Sequence, residues 1–458
     1  MKQDTMYALS PLDGRYIQIE EELAPYFSEF ALMKNRVKIE VKWLIFLIIN
    51  LEYGILKQFN SSENINKIND IFENFCELDY KKIKNLENIT NHDVKAVELF
   101  IAEKLKEIKL EKLISFIHIG CTSEDINNTA YATMIVEALH NVWIPAGENL
   151  INNIYLIAKE HANTPMLAHT HGQPATPTTL GKEMMVYINR LKECLNIIKS
   201  SKIKAKFNGA TGTYAAIYTA FPNEHWPMLC KRFVEEHLNL KFNNITTQIE
   251  SYDSICYLFD YIRHFNNILL DFDVDMWLYI SMEYFKQIAI KTEVGSSTMP
   301  HKVNPIRFEN SESNVDMSNA ILLALSNKLS KSRMQRDLSD SSSKRNIGLA
   351  FGYSLQAIQQ TIGGLKKVEV NKEKIKKDLN DRWEVLAEPI QTILRKYGIS
   401  DAYDRLKELT RGKDISKEII QQFIKSLEVL TEEDRKRLLE LTPSTYIGLA
   451  NRIVEDEL

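Results

Sequence analysis

The chain has 458 residues, 44% of them hydrophobic and 26% charged, with a formal net charge of −4. It is long enough for two or three domains around a large core, and it lacks both the composition of a disordered chain and the basic excess of a nucleic-acid-binding protein. Its 16 Gly and 12 Pro are about half the usual share, which favours long helices because these residues end them.

Residues 1–112 alternate amphipathic runs with polar turns and predict an N-terminal helical domain. The first residues carry no apolar signal segment, and no apolar run in the chain reaches membrane-spanning length. A cytoplasmic protein without membrane contact is therefore expected. Five scattered cysteines (Cys76, Cys121, Cys194, Cys230, Cys256) without a CxxC pair agree with reduced thiols and exclude a zinc ribbon. Residues 32–51 begin mixed and become strongly apolar, as in a helix that enters a core.

The segment 113–364 is dominated by longer patterns. Leu180, Met184, Tyr187, Ile188, Leu191, Leu195 and Ile198 form one stripe in the run 180–203. Leu258, Tyr261, Ile262, Phe265, Ile268, Leu269 and Phe272 form another in the run 254–290, with no Gly or Pro between. Helices of this length predict a long bundle. Residues 365–458 read as a smaller helical domain, punctuated by Pro389, Gly398, Gly412 and Pro443, with a helix start at Thr431. No alternating β pattern or repeat stands out, so the expected fold is all-α in three domains around a central long-helix bundle.

Polar stretches interrupt this chassis. They are Leu12-Asp-Gly-Arg-Tyr16, Thr90-Asn-His-Asp-Val94, Cys121-Thr-Ser-Glu-Asp-Ile-Asn-Asn128, His169-Thr-His-Gly-Gln-Pro174, Asn208-Gly-Ala-Thr-Gly212, Gly295-Ser-Ser-Thr-Met-Pro-His-Lys-Val-Asn-Pro305 and the run 333–345. Any one of them reads best as helix caps. So many on one scaffold, each bearing His, Ser, Thr, Asn, Lys or Arg, read as loops that carry chemistry.

Together they resemble the fumarase/aspartase superfamily, whose signature is matched by Gly295-Ser-Ser-Thr-Met-Pro-His-Lys-Val-Asn304. The narrower resemblance is to adenylosuccinate lyases of the longer bacterial type. It rests on Thr90-Asn-His-Asp93, Cys121-Thr-Ser-Glu-Asp125, Thr170-His-Gly-Gln-Pro174, Thr247-Gln-Ile-Glu250 and Ser332-Arg-Met-Gln-Arg-Asp337, and continues through Trp383-Glu-Val-Leu-Ala-Glu-Pro389 and Lys407-Glu-Leu-Thr-Arg-Gly412. What it implies is a mostly helical homotetramer with active sites built from more than one subunit. The implied reaction is β-elimination of fumarate from adenylosuccinate, giving AMP, and from the succinyl-aminoimidazole-carboxamide ribotide, with no cofactor. Argininosuccinate lyase, fumarase and aspartase share the signature loop, but the Asn91-His-Asp93, Gln248 and Arg336 stretches favour a ribotide. A non-catalytic helical protein on the same scaffold is a further alternative, set against the retention of Ser296, His171 and Lys302.

Such an elimination needs a base, donors for a carbanion, an acid for the departing nitrogen, and groups that hold a phosphate and two carboxylates. By resemblance Ser296 is the base and Ser297 a substrate-binding neighbour; the residues alone do not separate the two. A serine must ionise in a site rich in donors to serve, and Lys302 and Asn304 supply a cation and an amide. His171 is the acid by resemblance, since imidazole titrates near neutrality. The resemblance also implies that Asn91, His92 and Asp93 contact substrate and that Thr122, Ser123 and Gln248 add neutral hydrogen bonds. By the same resemblance Arg15, Tyr16, Arg336, Ser341 and Arg345 are expected to bind the anionic groups, with Ser342, Ser343 and Lys344 in the same run; arginine suits this through its planar fork. The Ser341–Ser343 run also reads as a mobile linker, and it and the 295–305 loop are expected to order around ligand.

His169 and His171 form an H-x-H pair that an extended segment would point to one side. Without CxxC, HExxH or an acidic ligand cluster beside it, no metal site is expected, and His169 is assigned a structural part. His118 stays undecided. His140, His161, His225, His237 and His264 read as surface or core residues within helical patterns.

Overall fold

The computed structural model describes residues 7–290, 298–412 and 415–457. The chain divides into two compact units, Met1–Gly147 with Cys194–Asn267 and Ser313–Ala357, and Glu148–Glu193 with Ile268–Glu312 and Ile358–Leu458. Helices dominate both. Among the described residues every strand is two or three residues long and pairs with one other, pinning loops rather than forming a sheet layer. No helix is long and apolar enough to cross a membrane.

In the first unit, helix Glu29–Asn50 starts at Ser28, whose hydroxyl accepts the Ala31 N–H at 3.1 Å. It is buried on nearly every face and packs against helices Ser62–Glu73 and Ser123–Ala138. Trp43 stands at its centre, 4.7 Å from the Phe207 ring and 5.0 Å from that of Phe233. Trp43 donates its indole N–H to the Ile119 carbonyl at 3.2 Å, as a buried indole requires.

The second unit contains an irregular hairpin over residues 165–179 and a C-terminal core. Leu379, Leu386, Ile390, Leu394, Ile420 and Leu438 belong to that core. Thr431 caps helix Glu432–Glu440 as its sequence predicts, accepting the Asp434 N–H at 3.3 Å. Helix Leu180–Ser200 matches its apolar stripe.

The run 254–290 is a correction. Helix Asp253–Ser281 ends nine residues early, and strand Phe285–Gln287 pairs antiparallel with Val368–Val370. The stop is a Schellman motif. The N–H of Tyr284 reaches the Tyr279 carbonyl at 2.9 Å, and that of Glu283 reaches the Ile280 carbonyl at 3.0 Å. Glu283 takes the left-handed position, φ 62°, that glycine usually fills. With no glycine there, the sequence carries no visible stop.

Candidate active site

In the first unit a continuous chain of charges links segments far apart in sequence. Glu124, in the first turn of helix Ser123–Ala138, is only 1% exposed. Its carboxylate meets Arg336 at 3.1 Å and Lys344 at 3.3 Å, and accepts the Tyr252 hydroxyl at 3.0 Å and the Asn127 amide at 3.2 Å. Burial pushes the Glu124 carboxyl up, but the Lys344 and Arg336 cations outweigh it and hold it below the usual range. Lys344 donates to the Tyr252 hydroxyl at 2.8 Å and pairs with Asp340 at 2.8 Å. Burial would lower the Lys344 ammonium, yet the anionic groups around it raise it well above its ordinary value. Arg336 also donates to the Gln248 side-chain carbonyl at 3.1 Å.

The chain continues through Asn127, which accepts Arg36 Nε at 2.9 Å. Arg36 pairs with Asp93 at 2.6 Å, and Arg345 lies 3.8 Å from the same carboxylate. Burial raises the Asp93 carboxyl, but Arg36 above all, then the Val94 N–H and Arg345, bring it below its ordinary value. Arg345 and Asp13 line one groove of about 270 Å³, which places the cation beside the turn that carries Arg15 and Tyr16. That turn is closed by the Tyr16 N–H on the Pro11 carbonyl at 2.8 Å and anchored by buried Leu12. Arg15 is exposed.

A second buried pair fixes the neighbouring loops. Lys206 and Asp125, both fully buried, meet at 3.0 Å. Lys206 also donates to the carbonyls of Gly209 and Gln248 at 2.8 Å each. Asp125 accepts the Thr122 N–H at 2.8 Å, one half of a capping box, and the Asn208 N–H at 3.0 Å. Thr122 and Ser123 therefore sit at a helix start tied to the Asn208–Gly212 loop and to Gln248. His118 precedes them in a left-handed turn, φ 57°, with its Nδ1 2.5 Å from Glu40. Burial lowers the His118 imidazolium, but the Glu40 carboxylate more than restores it, for a net rise.

Asn91 and His92 occupy a helix junction. Asn91 ends helix Glu77–Thr90 in the left-handed region, φ 50°, and the His92 Nδ1 accepts the Lys95 N–H at 3.2 Å to start helix Asp93–Glu107. The Ser341–Ser343 run, which the sequence also read as a linker, lies in helix Ser339–Lys344. It turns Lys344 inward, 2% exposed, and leaves Arg345 outside.

In the second unit, Thr170 pairs with Gln173, so His171 and Gly172 form a two-residue turn. Their φ values, 54° and 71°, are both positive, as in a type I′ turn. Histidine is among the side chains that tolerate this conformation. His171 is thus presented at the exposed tip of a hairpin rather than along an extended strand, and the one-sided H-x-H geometry does not arise. Burial and Arg382 hold the His169 imidazolium below its ordinary value. No cluster of metal-ligating side chains occurs among the described residues. Lys302 is exposed and its N–H closes a turn on the Met299 carbonyl at 3.0 Å; Asn304 is half-buried just ahead of helix Ile306–Leu329. Ser296 and Ser297 lie outside the described residues.

Within the first unit, then, the structure joins Asp93, Gln248, Arg336, Lys344 and Arg345 in one network. Its internal members Arg36, Glu124, Asn127, Tyr252 and Asp340 were not singled out from sequence. The available signal was a charged residue within a largely apolar helical run, such as Arg36, since a buried charge requires a partner.

Comparison with known proteins adds an independent line. A family model described as Lyase matches residues 21–317, and one described as adenylosuccinate lyase C-terminal matches residues 332–447. Curated relatives named adenylosuccinate lyase include one from Legionella pneumophila, 48% identical over 458 residues with 99% of each chain covered. Those of Haemophilus influenzae and Escherichia coli K12 are 47% and 46% identical, covering 99% and 100% of each chain. Among solved structures, a fumarate lyase from Mesorhizobium sp. BNC1 superposes with a TM-score of 0.76 at 17% identity, over 95% of this chain and 97% of that one. A 3-carboxy-cis,cis-muconate lactonizing enzyme from Pseudomonas putida gives 0.72 at 20% identity, over 100% and 98%. At these identities the two structures share the fold.

Proposed function

The chain belongs to the adenylosuccinate lyase family, and from that premise we propose that it cleaves the C–N bond of adenylosuccinate by β-elimination, with Ser296 as base and His171 as acid. The observation that carries the reading is identity of 48% to a curated adenylosuccinate lyase over 99% of both chains. The same site would release fumarate from the succinyl-aminoimidazole-carboxamide ribotide.

In this mechanism the Ser296 oxyanion removes the proton from the succinyl carbon next to the C–N bond. Charge moves into the adjacent carboxylate, opposite Lys302 and the amide of Asn304. As the C–N bond breaks, the electron pair forms the double bond of fumarate, and His171 returns a proton to the departing nitrogen. Neither oxidation nor group carriage occurs, so the chemistry calls for no cofactor. The Arg336 and Arg345 guanidiniums, aligned by Glu124 and Asp93, suit the phosphate and carboxylates, with Arg15, Tyr16, Thr122, Ser123, Ser297 and the Asn91–Asp93 junction completing the substrate contacts.

The proposal includes a homotetramer with shared active sites and a three-domain division at residues 112 and 364. Exposed apolar side chains on the long helices, among them Val186, Val274, Trp277, Leu278 and Met317, support association of copies. The five free cysteines support a cytoplasmic setting. The test is fumarate release from adenylosuccinate and, separately, from argininosuccinate. Turnover of adenylosuccinate alone, abolished by Ser296→Ala, is expected; turnover of argininosuccinate alone refutes the assignment.

A further inference from the structure

We propose that Glu388 is a positioning residue for the reaction: it braces the hairpin that presents His171 against the C-terminal core, so that segment 379–446 sets where the acid stands. The inference rests on the reading of His171 as the acid.

The hairpin is a lever with its fulcrum in the second unit. Strand Pro165–Met166 pairs with Thr178–Thr179 at the base, and the Ala175 N–H reaches the Ala168 carbonyl at 2.8 Å midway. Strands His169–Thr170 and Gln173–Pro174 carry the turn at the tip. At the end of such short strands, His171 and Gly172 have little ladder to hold them. The bracing comes from the side. Leu167, 2% exposed, is a member of the same apolar core as Leu379, Val385, Leu386 and Ile390. On the returning arm, between strands Gln173–Pro174 and Thr178–Thr179, the Thr176 hydroxyl donates to the Glu388 carboxylate.

Glu388 is itself placed by its surroundings. It sits in the first turn of helix Ala387–Lys396, where a carboxylate is favoured by the helix dipole. The Tyr446 hydroxyl binds the same carboxylate, and burial together with that contact pushes the Tyr446 phenol up to about 12. One carboxylate therefore ties the hairpin to two separate stretches of the C-terminal segment. The sequence motif Trp383-Glu-Val-Leu-Ala-Glu-Pro389 acquires a reason that packing alone does not give: Val385 and Leu386 fill the core, while Glu388 points at the arm.

A general acid works only within hydrogen-bond reach of the atom it protonates. Rotation of the arm about its base displaces the tip most, and a misplacement of about 1 Å can cost up to about a hundredfold in rate. Ground-state binding is carried by other residues, so the loss should fall on kcat.

The experiment uses the full-length enzyme as purified, in the variants Thr176→Val, Thr176→Ser and Glu388→Ala, with hydrogen exchange of residues 165–179 alongside kinetics. Thr176→Val and Glu388→Ala are each expected to lower kcat about tenfold, with KM within about twofold and faster exchange in 165–179. Thr176→Ser keeps the hydroxyl and should retain both native values. In a His171→Asn background, adding Glu388→Ala should lower kcat no further, because the brace acts through the imidazole. Native kcat with native exchange in Thr176→Val and Glu388→Ala overturns the proposal, as does a further tenfold loss in the His171→Asn background. Full turnover by His171→Asn alone sinks the acid assignment and this inference with it; a crippled His171→Asn beside a native-like Glu388→Ala sinks only the brace.

Discussion

Glu124 and Arg336 lie 212 residues apart in sequence and meet at 3.1 Å, with the carboxylate 1% exposed. Glu124 simultaneously neutralises Lys344, itself 2% exposed, so removing its charge takes a carboxylate from each of two cations, with Lys344 keeping Asp340 at 2.8 Å. Glu124→Gln keeps the shape and one acceptor but not the charge. It should cost about 3–5 kcal/mol, as for other broken buried pairs. Urea unfolding gives that figure, and initial rates should show a raised KM because Arg336 loses its alignment. An unchanged urea midpoint would mean that Lys344 and Asp340 satisfy each other without Glu124.

The pair His118 and Glu40 predicts a pH dependence of stability. The folded-state pKa of His118 lies above its ordinary 6.5, so the folded state binds the proton more tightly than the unfolded chain. Its contribution is fully present below the unfolded value and is lost as pH rises through the folded one. Native protein and His118→Gln should therefore differ most on the acid side of neutrality and converge at alkaline pH. Urea midpoints at pH 6 and pH 9 would show this, and a gap that widens with pH would reverse the sign. The carboxyls of Asp93 and Glu124, held low, act oppositely. Their stability is present above the unfolded carboxylate values and disappears as acid carries the pH through the folded ones.

The sequence made the helical class and the polar junctions legible because both are local. Thr431 caps where its side chain can reach the next turn, and apolar stripes mark helix faces. Residues that act through distant partners were hidden. Arg36 and Asn127 lie inside helices and become part of the network only when the chain brings Asp93 beside them. Lys344 read as a substrate contact because it neighbours Arg345, yet one step along a helix turns it inward. The end of helix Asp253–Ser281 was invisible for another reason: Glu283 occupies a position where the eye looks for glycine.

His171 offers a separation of chemistry from fold. At φ 54°, Asn is tolerated well while a β-branched residue is a steric outlier. His171→Asn should leave thermal stability native and reduce kcat by about 10²–10⁴, the contribution of a positioned acid. His171→Val should lose the same activity and in addition about 1–3 kcal/mol of stability from the strained turn. Equal unfolding midpoints for the two variants would argue against the type I′ geometry; near-native kcat in His171→Asn would argue against the acid.

Two glycines with nearly the same backbone angle should respond differently to one methyl group. Gly172 has φ 71° with nothing within 4 Å of an added Cβ, whereas at Gly212, φ 74°, the Cβ would stand 2.2 Å from the Thr246 carbonyl oxygen. Gly172→Ala should pay only the left-handed penalty of about 1–2 kcal/mol. Gly212→Ala adds an overpacking cost of about 1–3 kcal/mol, and the atom in the way is backbone, which cannot rotate aside. Relief requires the 246–248 stretch to move, and Gln248 is held there by Lys206 and Arg336. A raised KM should therefore accompany the larger stability loss in Gly212→Ala and be absent from any Gly212 variant whose unfolding midpoint stays native. The two alanine variants, compared by urea unfolding and initial rates, test whether the loop 208–212 reaches substrate through Gln248 or merely closes the fold.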